Sequence, residues 1–456
     1  MTNEAAAASQ PFVMNASFWT ATVIFLLAYA LIVSEKVHKT VVALFGAALM
    51  LVLKILEQKE AFHVEEFGVD WNVIFLLISM MVIINLMKPT GFFEYIAIKS
   101  AKLGKGEPMR IMTIFALVTA VLSALLDNVT TVLLLAPVTL LIADALEVDP
   151  VPFLIAEALA SNIGGTATLI GDPPNIMIAS KAKLDFISFI YNLTPAIIVI
   201  MAAFLFVLKL IFGKRLRVKP ELRQRILEMD EREAIKDPLM LKKSLFVLAI
   251  VITGFVLHGM LGYEPATVAL FGAGLLLLLS GTHEPHHVLA EVEWPTIFFF
   301  MGLFIIIGGV VKVGLIKWMS IEVLALTHGN MFATSMLIMW FSAFASAFVD
   351  NIPYVATMNP LIIDMANQIW PHLQGIKLLH NPELMPLWWS LALGACLGGN
   401  GTAIGASANV IVVGLAERAG RKITFIRFMA YGMPVMILTV LLSTVYVWLR
   451  YYVLKI

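Results

Sequence analysis

The chain has 456 residues, of which 60% are hydrophobic and only 14% are charged, whereas a soluble domain carries about 25% charged residues. Lysine plus arginine and aspartate plus glutamate number 31 each, so the net charge is zero and predicts no nucleic-acid partner. The single cysteine, Cys396, excludes an internal disulfide and a cysteine-based metal site.

Apolar runs long enough to cross a bilayer recur along the chain, which is typical of membrane-spanning helices. We therefore predict an all-α polytopic membrane protein. The clear predicted spans are at about 16–34, 39–56, 72–88, 192–212, 242–259, 265–281, 294–312 and 425–449.

Four further apolar stretches are interrupted. Residues 108–143 and 329–368 are each split by an Asp-Asn pair, and residues 151–183 and 386–416 are each split by a Gly/Thr-rich run. A backbone break inside lipid is tolerated only where protein or a water-filled cavity satisfies its polar groups. We predict a re-entrant hairpin for each Asp-Asn stretch and a broken helix for each Gly/Thr stretch.

A long polar segment, 213–241, lies in the middle of the chain. Within it, Glu221 and Arg225, and likewise Glu228 and Arg232, have the i,i+4 spacing of helical ion pairs. We predict a solvated linker helix on the cytoplasmic side. Binding to lipid headgroups or to a partner is the alternative interpretation.

The two halves of the chain repeat the same motifs in the same order. WNVIF corresponds to WPTIF, LDNV to VDNI, and GGTATLIG to GGNGTAIG. Internal duplication of this kind is typical of secondary transporters. We predict a first repeat over 1–212, a cytoplasmic linker over 213–241 and a second repeat over 242–456.

The number of crossings predicts the orientation of the repeats. Hairpins that return to their own side leave five spans in each half, an odd number, so the repeats are expected to be inverted. With the first residue outside, most of the 31 lysines and arginines fall on the cytoplasmic side, as the positive-inside rule requires. We predict a multi-pass protein of a bacterial inner membrane with both termini in the periplasm.

The hairpin tips carry the first candidate residues. A charged carboxylate within an apolar segment is costly and indicates function, so Asp127 and Asp350 are predicted to couple transport to an ion. Both residues also suit the cap of the half-helix that follows, and Pro353 fits that alternative. The tip residues predicted to bind the solute are Asn128, Thr130, Thr131 and Asn351.

The two breaks carry the second set of candidates. Glycines allow a backbone to leave helical geometry and approach a ligand, although tight helix packing is an alternative reason for them. Asp172 and Glu157 are further candidates for ion coupling, but Asp172 also suits an N-cap before Pro173, and its counterpart is Ala406. The residues of the breaks predicted to bind solute are Gly164, Gly165, Thr166, Thr168, Asn175, Gly398, Gly399, Asn400, Thr402, Ser407 and Asn409.

The sequence argues against three other kinds of chemistry: a metal site, catalysis and direct binding of a polyanion. His283, His286 and His287 surround Pro285 in a predicted loop, where we expect no metal site. No combination of a nucleophile with a base suggests an enzyme, and no cofactor is expected. The tip segments contain no lysine or arginine, which argues against a polyanion held by direct ion pairs.

The motifs DNVTT, NIGGTATLIGDPPN, DNIPYVATM and GGNGTAIGASANV resemble those of the ion transporter superfamily. Within it, they resemble the permeases that group arsenite efflux pumps (ArsB), NhaD-type sodium/proton antiporters and the melanosomal P protein. The resemblance implies two inverted repeats, each with a re-entrant hairpin and a broken helix. It also implies a scaffold part and a transport part that moves in an elevator-like manner.

The leading prediction is proton-coupled efflux of arsenite or antimonite, with Asp127 and Asp350 as the titrating groups. Arsenite is mostly neutral As(OH)3 near neutral pH, so it needs hydrogen-bonding groups more than a counter-ion. The alternatives are a sodium/proton antiporter and a carrier of a small anion such as chloride or a dicarboxylate. The expected partners are a small inorganic solute with protons or sodium, membrane lipid and a second copy in a homodimer; a soluble ATPase partner is left open.

Overall fold

The computed structural model describes residues 14–34, 36–64, 67–213, 216, 218–281 and 284–455. The first 13 residues and His283 lie outside the described residues, so the predictions made for them are not addressed. All regular elements in the described ranges are helices, with no strand among them. The predicted all-α class is confirmed.

The helices follow one another with short connections. In the first half of the chain, α1 to α11 are Ala16–Ser34, Lys39–Val52, Gln58–His63, Trp71–Met87, Phe92–Leu103, Pro108–Leu125, Asn128–Ala145, Val151–Gly165, Pro173–Ala182, Phe186–Phe212 and Pro220–Glu228. In the second half, α12 to α22 are Pro238–Leu261, Pro265–Ser280, Pro285–Ala290, Trp294–Lys312, Leu315–Leu326, Met331–Phe348, Asn351–Ile369, Ile376–Leu379, Met385–Gly398, Ser407–Arg418 and Phe425–Val447. Short 3-10 turns cover Lys88–Thr90, Glu231–Ala234 and Gly399–Gly401, and a π-helical turn covers Trp448–Val453.

Nine of the described helices are long and apolar enough to cross a membrane, so the chain is a multi-span membrane protein. The nine include α6, α7 and α17, which the sequence assigns to hairpins, while α2, α8 and α13 are shorter apolar helices. Each of α6, α7 and α17 has 18 residues, a length of about 27 Å. The ten-span count, the inversion of the repeats and the sidedness stay predictions.

Two compact units make up the chain. The first comprises residues 1–71, 294–330 and 356–379, and the second comprises residues 72–293, 331–355 and 380–456. Each unit therefore draws residues from both predicted repeats. The repeat boundaries at 1–212, 213–241 and 242–456 stay a prediction about the ancestry of the chain.

The first unit is held by close contacts between α2 and α15. A Cβ added at Gly302 would lie 2.6 Å from the carbonyl carbon of Ala43, so this glycine allows the two helices to touch. The hydroxyl of Thr40 donates to the carbonyl oxygen of Pro295 at 2.7 Å. At the end of α15, Lys312 forms an ion pair with Glu60 at 2.6 Å.

The linker departs from its prediction as one helix. Helix α11 ends at Glu228, because Met229 is extended and Asp230 caps a new 3-10 turn. Glu228 and Arg232 therefore lie in different elements, and Arg225 pairs with Glu147 at 3.5 Å. The i,i+4 pattern predicted the first turns correctly and missed the break after them.

The 3-10 turn of the linker packs against α5. Lys102 forms an ion pair with Glu231 at 2.6 Å and also donates to the carbonyl oxygen of Met229 at 3.0 Å. The hydrogen bond from Lys102 lowers the pKa of the Glu231 carboxyl from its ordinary value.

The second unit contains two helix pairs in tight contact, α6 with α8 and α17 with α20. A Cβ added at Gly164 would lie 2.1 Å from the carbonyl oxygen of Ala120. A Cβ added at Gly398 would lie 2.6 Å from the Cα of Ala343. Both glycines therefore permit a backbone approach that no larger residue allows, which is the packing alternative stated for them above.

Serines repeat the same relationship. Ser123 on α6 donates to the carbonyl oxygen of Ser161 at 2.7 Å, and Ser346 on α17 donates to that of Ala395 at 2.6 Å. Corresponding positions of the repeated sequence thus make corresponding contacts within the second unit. Each broken helix is fastened along its first half to the first arm of a hairpin.

We predict that Gly164→Ala and Gly398→Ala each destabilise the protein by about 1–3 kcal/mol, because the new methyl group overlaps backbone atoms. The matched control is Gly414→Ala on α21, where an added Cβ meets no atom within 4 Å and alanine favours the helix by up to about 1 kcal/mol. Thermal unfolding in detergent measures both effects. Equal midpoints for all three variants would contradict the close-packing account.

Candidate functional site

The first hairpin tip is an N-cap. Asp127 has an extended backbone between α6 and α7, and its Oδ1 accepts the amide of Thr130 at 2.7 Å. Its Oδ2 accepts the hydroxyl of Thr130 at 2.6 Å. Both carboxylate oxygens are therefore engaged by the first turn of the helix that Asp127 begins.

The second tip reaches further. Asp350 precedes α18, and its Oδ1 accepts the amide of Ile352 at 3.1 Å. Its Oδ2 accepts the hydroxyl of Ser407 at 3.3 Å, at the start of α21. Asp350 thus links the second tip to the second broken helix.

Asp172 lies between the two tips and is only 1% exposed. Its Oδ1 accepts the side-chain amide of Asn128 at 3.2 Å, and both of its oxygens lie 3.4 Å from the side-chain amide of Asn351. These two asparagines are the residues that follow the tip aspartates. One buried carboxylate therefore contacts both hairpin tips.

Asp172 occupies the N-cap position of α9, with Pro173 next to it, as the alternative interpretation expected, but its carboxylate does not cap the helix. Pro173 and Pro174 occupy the first two positions of α9 and lack amide hydrogens, and the Asp172 side chain makes no capping hydrogen bond. The amide of Asn175 bonds instead to the backbone carbonyl of Asp172 at 2.9 Å. The two prolines thereby leave the carboxylate available for the tip asparagines.

Asn162 is a central residue that the sequence did not single out. Its Oδ1 accepts the side-chain amide of Asn128 at 3.2 Å, and its Nδ2 donates to the Oδ1 atoms of Asn400 and Asn409 at 3.0 Å each. Asn162 thus joins a tip to both broken helices. Its counterpart in the second half is Cys396, so the repeat gave no signal; an asparagine inside the apolar arm was the signal available.

Asn175 and Asn409 satisfy the backbone of the two breaks. Each lies in the first turn of the second arm of a broken helix and donates its side-chain amide back to carbonyl oxygens of the break. Asn175 donates to the carbonyl oxygens of Thr166 at 3.2 Å and Thr168 at 2.8 Å. Asn409 donates to those of Gly399 at 2.8 Å and Thr402 at 2.9 Å. The side-chain oxygen of Asn175 also accepts a hydrogen bond from the thiol of Cys396 at 3.5 Å.

Thr168 and Thr402 fasten each break to a hairpin arm. The hydroxyl of Thr168 donates to the carbonyl oxygen of Ala124 at 2.5 Å, and that of Thr402 donates to the carbonyl oxygen of Ala347. Both acceptors lie in the last turn of a helix, where carbonyls lack an intrahelical partner. The hydroxyl groups of both threonines therefore donate their hydrogens to backbone carbonyls of the protein.

The remaining residues that were predicted to bind solute either form hydrogen bonds within the protein or allow close packing. Thr166 donates to the backbone carbonyl of its own helix at Asn162, at 2.7 Å. A Cβ at Gly165 would lie 2.4 Å from the carbonyl oxygen of Gly171, and one at Gly399 would lie 3.0 Å from that of Gly405. The close approaches of these glycines are therefore made to protein backbone.

Three buried polar atoms of the network have no hydrogen-bond partner among the described residues. They are Asn128 Oδ1, Thr131 Oγ1 and Asn400 Nδ2. A buried polar group without a partner costs about 1–3 kcal/mol. An acceptor, a hydroxyl and a donor are thus available to a bound group.

Glu157 stands apart from this network. It is 1% exposed, and its Oε1 accepts the hydroxyl of Thr139 on α7. Its Oε2 has no partner in the described ranges, and no hydrogen bond found there joins Glu157 to either tip. Glu157 therefore forms its own pair with Thr139 and is not one of the side chains bonded to Asp172 in the described ranges.

A group of exposed side chains at the start of α14 lies outside this network. Possible ligand atoms of Glu284, His286 and His287 lie within 4.8 Å of one another, and all three side chains are exposed. The Nε2 atom of His287 lies 3.0 Å from Glu284. This contact is a surface hydrogen bond between two of the three side chains.

A comparison with protein families decides which family the chain belongs to. Residues 29–394 match the citrate transporter family (CitMHS). The chain belongs to this family. The permease resemblance seen in the motifs is confirmed, and this member of the citrate transporter family is a membrane transporter.

Similar proteins span bacteria and mammals. An uncharacterized transporter of Mycobacterium tuberculosis is 46% identical over 95% of this chain and 99% of that protein. Human P protein is 34% identical over 92% of this chain, which corresponds to 58% of P protein. The crystal structure of the YdaH transporter of Alcanivorax borkumensis aligns over 95% of this chain and 98% of that one, with 14% identity and a TM-score of 0.48.

We predict that Thr168→Val and Thr402→Val each destabilise this family member by about 1–3 kcal/mol, because each leaves a helix-end carbonyl unpaired. Thr131→Val is the matched control, since its buried hydroxyl has no partner in the described part of the chain. Its unfolding midpoint is expected to stay unchanged or rise, because the substitution removes a buried hydroxyl that has no partner, while the KM for the transported solute rises. Thermal unfolding and uptake kinetics together separate the two roles, and a larger stability loss in Thr131→Val would contradict them.

Proposed function

We propose that this protein is a secondary active transporter that carries its coupling proton on Asp172. The observation behind this proposal is the contact of one buried carboxylate with the asparagines of both tips. A hydrogen bond to a charged acceptor is about twice as strong as one between neutral groups. Protonation of Asp172 therefore weakens its hold on Asn128 and Asn351 together.

This mechanism couples charge to conformation. A ligand shifts a conformational equilibrium only by as much as it favours one state over the other. The proton meets this requirement, because the unprotonated carboxylate favours the state in which both tips bind Asp172. The protonated carboxyl group no longer favours that state, so the tips become free to change their contacts.

Asp127 and Asp350 have a different role in this proposal. Both oxygens of Asp127 cap its own helix, and Asp350 caps α18 while reaching Ser407. These residues position the two tips. The proton therefore binds at Asp172, although the sequence favoured the tip aspartates.

The solute in this proposal is a small, uncharged, hydroxylated molecule, and arsenite or antimonite exported from the cell is the leading candidate. As(OH)3 both donates and accepts hydrogen bonds, which matches the available atoms on Asn128, Thr131 and Asn400. The tip segments contain no lysine or arginine that would prefer an anion. The one thiol, Cys396, is buried against Asn175 and cannot form a three-thiolate trap.

Citrate or another carboxylate is the second candidate, and the family match over residues 29–394 supports it. Asp127 and Asp350 lie at the two tips and Asp172 contacts both, while the tip segments of the sequence contain no lysine or arginine. An anionic solute is therefore expected to move only together with protons or a metal cation that compensates its charge.

We predict that Asp172→Asn abolishes accumulation driven by a pH gradient while solute exchange without a gradient continues. Asparagine keeps an acceptor for the tip amides but binds no proton. Everted vesicles with an acid interior measure accumulation of arsenite, and at least a tenfold loss is expected, about 1.4 kcal/mol. The control is Asp149→Asn, which removes an exposed carboxylate paired with Arg427.

The same vesicles distinguish the candidates. Citrate, sodium and chloride are supplied in separate assays with the same pH gradient. Citrate movement without any response to arsenite would replace the leading solute and leave the proton site standing. Full gradient-driven accumulation by Asp172→Asn, with any solute, would remove Asp172 from the coupling mechanism.

A further inference from the structure

A partly buried positive charge, Arg450, lies at the end of the last span, away from the aspartates. Helix α22 continues into a π-helical turn over Trp448–Val453, and Arg450 lies in this turn. Single π turns occur frequently at functional sites because they reorient side chains relative to a regular helix. The surroundings of Arg450 show what such an orientation serves.

Three tyrosine rings enclose the guanidinium group. The Cζ atom of Arg450 lies 4.4 Å from the ring centre of Tyr191, 5.6 Å from that of Tyr451 and 5.8 Å from that of Tyr446. Its Nη1 donates to the hydroxyl of Tyr446 at 2.8 Å. Aromatic faces attract an arginine without using its donors, so the rings hold the charge and leave its hydrogen-bonding edge for other partners.

The tyrosines are themselves held in place by Asn192, in the second turn of α10. Tyr446 donates its hydroxyl to the backbone carbonyl of Asn192 at 2.7 Å, and Tyr451 donates to its Oδ1 at 2.6 Å. The beginning of α10 and the end of α22 therefore form one preorganised group. Preorganisation lowers the entropy lost when a ligand binds.

Two hydrogen-bond donors of Arg450 are not used by the tyrosines. Nε and Nη2 are buried and have no hydrogen-bond partner in the described part of the chain, where no acidic residue pairs with Arg450. The hydrogens of these two nitrogens point in parallel from one edge of the guanidinium plane. That edge is the one by which arginine binds two oxygens of a carboxylate or phosphate.

The surroundings indicate where the oxygens come from. Tyr191 is 57% exposed, Trp448 is 46% exposed and Leu449 is 40% exposed, at the ends of two apolar helices. Tyrosine and tryptophan concentrate at the level of lipid headgroups. Exposed side chains change rotamer within nanoseconds, so the ring of Tyr191 is able to uncover the donor edge from the lipid side.

We propose that Arg450 binds the phosphate group of a membrane phospholipid. The Nε and Nη2 donors contact two phosphate oxygens, the tyrosines enclose the charge, and the exposed apolar residues of α22 lie beside the acyl chains. The bound lipid then fastens the end of α22 to the beginning of α10. This site is independent of the solute and the coupling ion.

The test is native mass spectrometry of the purified full chain with dioleoyl phosphatidylglycerol. We expect Arg450→Lys, which keeps the charge and loses the two-donor edge, to weaken binding by about ten- to a hundredfold. Arg427→Lys is the control on the same helix, because Arg427 is ion-paired with Asp149. Unchanged binding in Arg450→Lys, or an equal loss in both variants, would overturn the proposal.

Two further probes identify the chemical source. Dioleoylglycerol has the same acyl chains without a phosphate and is expected to bind far more weakly than the phospholipid; equal binding would contradict the role of the phosphate. Inorganic phosphate is not expected to compete at equal concentration, and effective competition would reassign the site to a free oxyanion.

A phosphatidylglycerol with a photoreactive headgroup, used on the unmodified protein, should label the segments around Tyr191 and Arg450, and labelling elsewhere alone would refute the site without relying on any variant.

Discussion

A backbone that leaves helical geometry inside an apolar segment must find new hydrogen-bond partners, because lipid offers none. The second unit meets this requirement with side chains. Asn175 and Asn409 donate to the carbonyls of the two breaks, and Thr168 and Thr402 bond the last turns of the hairpin arms. The breaks are therefore held in a defined form. That rigidity is what allows the buried Asp172 to face two asparagines from separate hairpins.

The repeated contacts make an unmatched charged residue of the network informative. Glycines, serines, threonines and asparagines of the two halves form corresponding contacts. The residue that corresponds to Asp172 in the second half is Ala406, which carries no charge. A frame that needed only structural support would be served equally by both halves. The single carboxylate therefore marks the place where the symmetric frame takes on an asymmetric task, and the proposed proton binding is that task.

The main architecture was predictable because strong local signals produce it: long apolar runs, Asp-Asn caps and a Gly/Thr/Pro break. The site was only partly predictable. Asn162 was missed because its importance comes from partners far along the chain, Asn400 and Asn409. The role of Asp172 depended on the absence of amide hydrogens in two prolines, and the linker depended on one extended residue, Met229. Such features are decided by tertiary contacts and single dihedral angles, which composition and periodicity do not report.

The central claim is that Asp172 binds a proton and that this proton weakens its hydrogen bonds to the two tips. Infrared difference spectroscopy of the purified protein across a pH step detects carboxylic-acid groups directly. The account predicts a carboxyl band that appears on acidification, is absent in Asp172→Asn, and persists with a shifted frequency in Asn128→Ala and Asn351→Ala because a hydrogen-bond donor has been removed. An identical difference spectrum for the unmodified protein and Asp172→Asn would contradict it.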